Sequence, residues 1–181
     1  MGEKRGFSAQ MRTIVCDAGP VIHLHEANCL SLLRRTGRLF LPHRVFIEVQ
    51  SIIPINGKWP DWLKVIRLSQ DERNEAAMWQ TAGDLHAGEA EALVLARKKE
   101  VDWFLTDDSA TRLFVSLLGL EVHGSLGIIL WSAAHRHLSR EKTEEALNRL
   151  QQSSLWLSAR IYQEARQALD EIYVNRLTKR K

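Results

Sequence analysis

The chain has 181 residues, the length of one ordinary domain, and 45% of them are hydrophobic. Its formal net charge of +3 is mildly basic, which is compatible with a nucleic-acid partner without requiring one. No run approaches the roughly 20 apolar residues of a membrane span, and residues 1–8 lack the apolar core of a secretory signal. Cys16 and Cys29 lie in apolar segments and favour buried thiols in a reducing cytoplasm, so we expect a cytoplasmic protein with no membrane association.

The first third of the chain alternates apolar strands with helices. Residues 1–11 are predicted to be a flexible leader, and residues 12–16 to be a short apolar strand of the kind found inside parallel sheets. Pro20 suits the first turn of a helix, whose apolar stripe continues until Gly37 ends it. Composition and turn residues then predict a strand, a helix, a loop and an edge strand at 38–41, 42–51, 54–60 and 62–68.

The same alternation continues to the end of the chain. Further helices are predicted at 71–80, 89–99, 109–118, 125–137, 140–151 and 155–173, and further strands at 101–105 and 120–124. Alternating strands and helices favour an α/β fold with a mainly parallel central sheet flanked by helices. We expect residues 12–138 to form the α/β core, and residues 139–181 to be a C-terminal helical extension packed on the same domain.

Acidic residues follow two of the predicted strands. Asp17 comes directly after the first strand, and Asp107 and Asp108 follow the strand at 101–105. Because the carboxyl ends of parallel strands meet at one edge of a sheet, where open α/β sheets bind ligands, we expect these acids to lie close together. The alternative is a local role, in which Asp17 caps a turn and the other two cap the helix that begins at Ser109.

Three glutamates, Glu48, Glu89 and Glu91, lie on predicted helices that adjoin those strands. Glu48 can also be read as a solvated side chain, and the other two as first-turn acids that favour the helix dipole. At about 100° per residue, Glu89 and Glu91 point about 200° apart, so a regular helix directs only one of them inward. Carboxylates brought together stay ionised only beside a cation, and their hard oxygens select Mg²⁺ or Mn²⁺. Such an ion can activate water and stabilise phosphoryl charge during phosphodiester cleavage.

Basic residues are unevenly distributed, because four arginines fall within eleven residues: Arg34, Arg35, Arg38 and Arg44. An acidic cluster in a basic chain suits a polyanionic substrate, so this group is predicted to contact nucleic-acid phosphates. The alternative is a solvated helix end, where cations favour the dipole. Several histidines fit no standard zinc spacing and are interpreted as packing or surface residues: His23, His25, His123, His135 and His137.

Five segments resemble, in order, the motifs of PIN-domain proteins, and in particular those of the DUF3368 subfamily. They are the strand, Asp and aliphatic helix of 15–24, the helix after proline at 41–49, the Gly-Glu-Ala-Glu-Ala segment of 85–93, the Leu-Thr-Asp-Asp segment with Arg112, and the strand and turn of 119–127. The resemblance covers about residues 13–170. It implies a PIN-like fold with additional C-terminal helices.

The resemblance also implies a metal-dependent endoribonuclease of the VapC toxin type, cleaving RNA with Mg²⁺ or Mn²⁺ and pairing with a small antitoxin protein. Family members commonly form homodimers, so we expect a homodimer. The metal ligands and catalytic residues implied by the motifs are Asp17, Glu48, Glu91 and Asp108, with Glu89 and Asp107 also close to the metal, and Arg112 joins the predicted nucleic-acid contacts. Glu91 is preferred to Glu89 because it matches an Asp-Ala-aliphatic pattern, and Asp108 to Asp107 because the common pattern is Thr-x-Asp.

One position departs from the family pattern. Gly19 stands where many members have Ser or Thr two residues after the first Asp. The alternative function is therefore a catalytically weak nucleic-acid-binding or regulatory protein on the same fold. A receiver-type phosphoacceptor fits less well, because it needs an acid pair after the first strand and a lysine after the last.

Overall fold

The computed structural model describes residues 11–53 and 59–178, with side chains as far as residue 174. Most of the predicted leader and of the predicted loop at 54–60 lie outside the described residues, as do residues 179–181 of the predicted C-terminal extension. Within the described part of the chain, no helix is long and apolar enough to cross a membrane.

A single five-stranded sheet forms the centre of the protein, with strand order β3-β2-β1-β4-β5. Its strands are β1 (Thr13–Cys16), β2 (Arg38–Pro42), β3 (Leu63–Ile66), β4 (Trp103–Leu105) and β5 (Val122–His123). Every neighbouring pair is parallel, with Cys16 aligned with Leu105 and Val15 aligned with Phe40. The predicted α/β fold with a parallel sheet is confirmed, and β3 is the edge strand that its sequence predicts.

Helices occupy the connections between strands, and three more follow the last strand. They are α1 (Ala18–Glu26), α2 (Leu33–Thr36), α3 (His43–Ile52), α4 (Gln70–Gly83), α5 (Ala87–Lys99), α6 (Ser109–Leu117), α7 (Ser125–Ala134), α8 (Arg140–Gln151) and α9 (Ala159–Thr178). Most predicted helices are confirmed with small shifts at their ends. The exception is the helix expected from Pro20 to Gly37, which is interrupted: Asn28 has a left-handed φ of 56°, and a 3₁₀ turn, Leu30–Leu32, separates α1 from α2. A φ in this region ends a helix, and Asn tolerates it better than most residues.

Alternate residues of the strands bury against opposite faces of the sheet. Ile14 and Cys16 of β1 belong to one core cluster, whereas Val15 between them belongs to the other. The first cluster includes side chains of α1, α3 and α7, and the second those of α4, α5 and α6. Because a strand presents successive side chains to opposite faces, both faces of this sheet are covered, as expected for parallel strands.

The last two helices add to the first of these clusters. Leu147 and Leu150 of α8 are fully buried, and Leu169 of α9 is nearly so. All three belong to the same cluster as Ile14 of β1. The hydrophobic core on that face therefore extends from the central strand to the C-terminal helices.

Candidate active site

The carboxyl edge of the two central strands is where the acidic residues begin. Asp17 and Thr106 directly follow β1 and β4, and the Asp17 backbone N–H donates to the Leu105 carbonyl at 2.9 Å. The Thr106 hydroxyl donates to Asp17 Oδ2 at 3.3 Å. The parallel register of β1 and β4 therefore places the first acid beside the turn that carries Asp107 and Asp108.

Asp17 is a buried carboxyl group, with only 7% of its surface exposed. Its pKa is raised from 3.8 to about 7, mainly because burial removes water from the charged form, and also because Glu89 and Glu48 lie nearby. Hydrogen bonds from the Ala18 backbone and from Thr106 oppose this shift. A cation beside this carboxyl group would favour its ionised form at neutral pH.

Both glutamates of α5 are buried, each 7% exposed, although the helical spacing predicts that only one of them points inward. The reason is that α5 is covered on all sides, with a continuous buried run from Gly88 to Ala96. The two side chains have different partners. Glu89 Oε2 accepts a hydrogen bond from the His86 backbone at 2.7 Å, and Glu91 Oε1 accepts one from Arg44 Nε at 3.0 Å.

Glu48 joins these acids from α3. Burial raises its pKa, Glu89 and Glu91 raise it further, and Arg44 lowers it. Gly88 allows the close approach of α3 and α5, because a Cβ at this position would lie 2.7 Å from both carboxylate oxygens of Glu48. The structure therefore brings Asp17, Glu48 and both α5 glutamates into one electrostatically coupled group.

Asp107 lies beside this group, and other side chains hold it firmly. His23 Nδ1 lies 2.7 Å from Asp107 Oδ2, and Ser125 donates to the carboxylate from its backbone N–H at 2.7 Å and its hydroxyl at 2.5 Å. Gly124 makes room for this arrangement, because a Cβ there would lie 2.6 Å from Asp107 Oδ1. The helix that carries His23 and the turn after β5 therefore fix the position of the Asp107 carboxylate.

The two aspartates of this turn have different surroundings, and the preference for Asp108 over Asp107 as a metal ligand stays a prediction. The Asp107 side chain is 7% exposed, whereas Asp108 is an exposed residue that caps α6, accepting a hydrogen bond from the Thr111 backbone at 2.7 Å. Burial acts to raise the pKa of Asp108, but hydrogen bonds from Thr111 outweigh it and the pKa is lowered. The capping role that the sequence offered as an alternative thus applies to Asp108, which lies at the rim of the acidic group.

The predicted nucleic-acid arginines separate into two groups. Arg44 contacts Glu91, and Arg112 Nη2 donates to the Thr106 carbonyl at 2.9 Å, so both adjoin the acids. The others lie at the amino edge of the sheet or near it. Arg38 is the first residue of β2 and donates to the Thr13 hydroxyl at 3.1 Å, and two more border a cavity with Asp102: Arg34 and Arg35. A residue that begins a parallel strand lies opposite the residues that end one, which explains the separation.

Sequence reasoning missed several side chains of this site. His23 was interpreted as a packing residue, but it contacts Asp107, and the hydroxyls of Thr106 and Ser125 bind the acids directly. For His23 the available signal is its position on α1, one turn after Gly19 and on the helix that starts beside Asp17. The remaining histidines behave as predicted: His123 packs on Trp103 at 4.2 Å between ring centroids, and His135 stacks on Trp131.

The chemistry of these donors fits a hard divalent cation. Burial and repulsion by neighbouring acids raise the pKa values of Asp17 and Glu48, and such an ion would stabilise the ionised form of both. Among the residues that the structure describes, no three His, Cys, Asp or Glu side chains form a ready-made cation site. The residues that would hold the ion are the coupled carboxylates Asp17, Glu48, Glu89 and Glu91, with Asp107 beside them.

The fold and the site together define a class of protein: a parallel α/β domain with an acidic group at the carboxyl edge of its central strands. The DUF3368 family model, described as a PIN domain, matches residues 13–171, and the chain belongs to this family. A comparison with curated proteins gives no significant match. The resemblance to PIN-domain proteins is thereby confirmed, and with it a nuclease-type fold.

Proposed function

We propose that this protein is a metal-dependent endoribonuclease that hydrolyses RNA phosphodiesters. The observation that carries the proposal is the coupled group of Asp17, Glu48, Glu89 and Glu91, in which burial and mutual repulsion raise the pKa of Asp17 to about 7. Such a group has a high electrostatic cost without a cation and a low one with it. A nuclease-type fold and two arginines beside the acids agree with an anionic substrate.

The residues have separate roles in this proposal. Asp17, Glu48 and the α5 glutamates hold Mg²⁺ or Mn²⁺, and Asp107, oriented by His23 and Ser125, completes the acidic edge. When bound, the ion supplies activation of water and stabilisation of phosphoryl charge. Arg44 restrains Glu91 and, with Arg112, places positive charge where the RNA backbone approaches. Asp108 acts at the rim, where its carboxylate also caps α6.

The biological role that we propose is that of a toxin in a toxin–antitoxin pair, acting in the cytoplasm as a homodimer and inhibited by a small antitoxin protein. These partners follow from membership of the PIN-domain family rather than from a particular surface of the chain. Co-expression with the product of an adjacent small gene, followed by co-purification, tests the antitoxin, and light scattering of the purified chain tests the dimer.

The experiment that tests the activity compares RNA cleavage by the parent chain, by Asp17→Asn and by Asp61→Asn, each with Mg²⁺, with Mn²⁺ and with EDTA. Asp61 is a matched control, because it is exposed and precedes β3, at the opposite edge of the sheet. We expect cleavage by the parent and by Asp61→Asn only with a divalent ion, and a loss of at least about 100-fold for Asp17→Asn. RNA binding without metal-dependent cleavage would instead support the catalytically weak regulatory alternative.

A further inference from the structure

A cavity of about 360 Å³ opens beside the acids, on the side of α3 and β3. Two of the acids, Glu48 and Glu91, form part of its wall. The rest of the wall consists of two apolar residues and four basic ones: Ile47, Leu68, His43, Arg44, Arg67 and Arg73. Arg67 and Arg73 are not among the arginines predicted from the sequence to contact nucleic acid. They follow the edge strand β3 and lie far along the sequence from the predicted arginine group.

The three arginines of this cavity differ in how far they are already engaged. Arg73 is fixed within the protein, because its guanidinium donates to the Leu68 carbonyl and to the side chain of Gln70. Arg44 uses only Nε, which donates to Glu91, and about half of its side chain is exposed. Arg67 is exposed, and its side chain has no hydrogen bond or ion pair to any residue that the structure describes.

This arrangement leaves hydrogen-bond donors that are available to an anion supplied by a ligand. Arg67 and the terminal nitrogens of Arg44 are free to bind, and the guanidinium fork matches the geometry of a phosphate group. The cavity carries three guanidinium groups against two carboxylates, and a cation at the acids would add further positive charge. An anion in this cavity lies directly beside Glu48 and Glu91, next to the place where a phosphodiester would be cleaved.

We propose that the cavity binds the phosphodiester group next to the cleaved one on the same RNA strand. Arg67 is its main contact and Arg44 its second. This inference rests on the proposed function, since it names the part of the substrate that the same site holds. Arg73 then acts as a positioning residue, which holds the start of α4 against the Leu68 carbonyl and so shapes the cavity.

The test measures binding without cleavage, so that it does not depend on catalysis. Fluorescence anisotropy of a labelled single-stranded RNA is recorded in EDTA over a range of salt concentrations for the full chain and three variants. The variants are Arg67→Gln, Arg67→Lys and Arg136→Gln. Arg136→Gln is the matched control, because Arg136 is an exposed arginine that follows the end of α7, whereas the start of that helix, Ser125, contacts Asp107.

A plot of log affinity against log salt concentration has a negative slope. We expect Arg67→Gln to make this slope shallower by about 0.7, the value for one phosphate contact on a single strand. Between 1 M and 0.1 M salt this change in slope corresponds to a factor of about 5, so binding at 0.1 M weakens about fivefold. Arg67→Lys, which keeps the charge, retains most of the slope, and Arg136→Gln leaves it unchanged. A DNA strand of the same sequence loses the same factor, because the phosphate is the shared chemistry.

Several results would overturn the inference. The parent chain fails to bind RNA at low salt, or Arg67→Gln leaves both slope and affinity unchanged, or Arg136→Gln reduces them equally. If Arg67→Gln weakens the binding of a labelled acidic peptide, measured in the same way, but leaves RNA binding unchanged, the cavity is assigned to a protein partner instead. If the parent binds RNA through Arg67 but does not cleave it with any divalent ion, the proposed catalysis fails and this inference stands, so the two failures are distinguishable.

Discussion

Replacing Asp17 with asparagine should stabilise the protein at alkaline pH and hardly at all in acid. The unfolded chain loses the Asp17 proton near the ordinary pKa of 3.8, whereas the folded chain keeps it until about pH 7. Between those values the unfolded state binds fewer protons, so the free energy of unfolding decreases as the pH rises through this range. The contribution of protonated Asp17 to the free energy of unfolding is fully present below the lower pKa. It is lost by the time the pH passes the upper pKa.

The size of the effect follows from the same two pKa values. A difference of about three units corresponds to about 4 kcal/mol, which the parent chain lacks at pH 8 and retains at pH 4. Asparagine has nearly the same shape and no charge at either pH, so Asp17→Asn avoids this loss. We expect the variant to exceed the parent by up to about 4 kcal/mol at pH 8 and by less than about 1 kcal/mol at pH 4.

Urea unfolding in EDTA, followed by tryptophan fluorescence, measures both free energies, with Asp61→Asn as the exposed control that shows no pH-dependent gain. Adding Mn²⁺ at pH 8 should then reduce the difference from about 4 kcal/mol to about 1 kcal/mol, because a cation held by the ionised acids stabilises only the parent, by about 2.7 kcal/mol at 100 times its Kd. An equal gain at pH 4 and pH 8, or a variant less stable than the parent at pH 8, would refute the burial argument.

Two further predictions concern packing at and behind the site. Gly88→Ala should push the Glu48 carboxylate aside, because the new Cβ would lie 2.7 Å from both its oxygens. We expect a loss of RNA cleavage and of Mn²⁺ affinity, with at most about 2 kcal/mol lost in urea unfolding, because the cost of overpacking is partly offset by the better helix propensity of alanine; unchanged cleavage would contradict this prediction. Leu147→Ala on α8 should lower the free energy of unfolding by about 2–5 kcal/mol in a single transition, and a separate transition for the C-terminal helices would show that they do not share the core.

Much of this site could be predicted from strand ends alone. An acid after an apolar strand marks the carboxyl edge, which places Asp17 and the Asp107–Asp108 turn together before any coordinates are known. The same rule, applied to residues that precede strands, would have separated Arg38 from Arg44, because Arg38 opens β2 and Arg44 follows it. Clustering along the sequence was the weaker guide, since a strand only five residues long carries the chain from one edge of the sheet to the other.

Other features depend on contacts between distant segments and could not be read from the pattern. Whether Asp107 or Asp108 turns inward is decided by which one finds a competing partner, and Asp108 finds the free backbone N–H groups at the start of α6. The burial of both Glu89 and Glu91 likewise depends on α3, α4 and the sheet all packing against α5. Periodicity describes one helix at a time, whereas this arrangement requires the positions of its neighbours.

Gly19 illustrates how the departure from the family pattern is accommodated. The hydroxyl that many relatives carry at this position is absent, but hydroxyls reach the acids from two other elements, Thr106 to Asp17 and Ser125 to Asp107. A Cβ at Gly19 would lie 3.4 Å from the Asp107 Cβ and 3.6 Å from the His23 ring, which are ordinary contact distances, so a serine would fit there. Because the acids already have their hydrogen-bond donors, the glycine changes which side chains orient them and leaves the acidic edge itself intact.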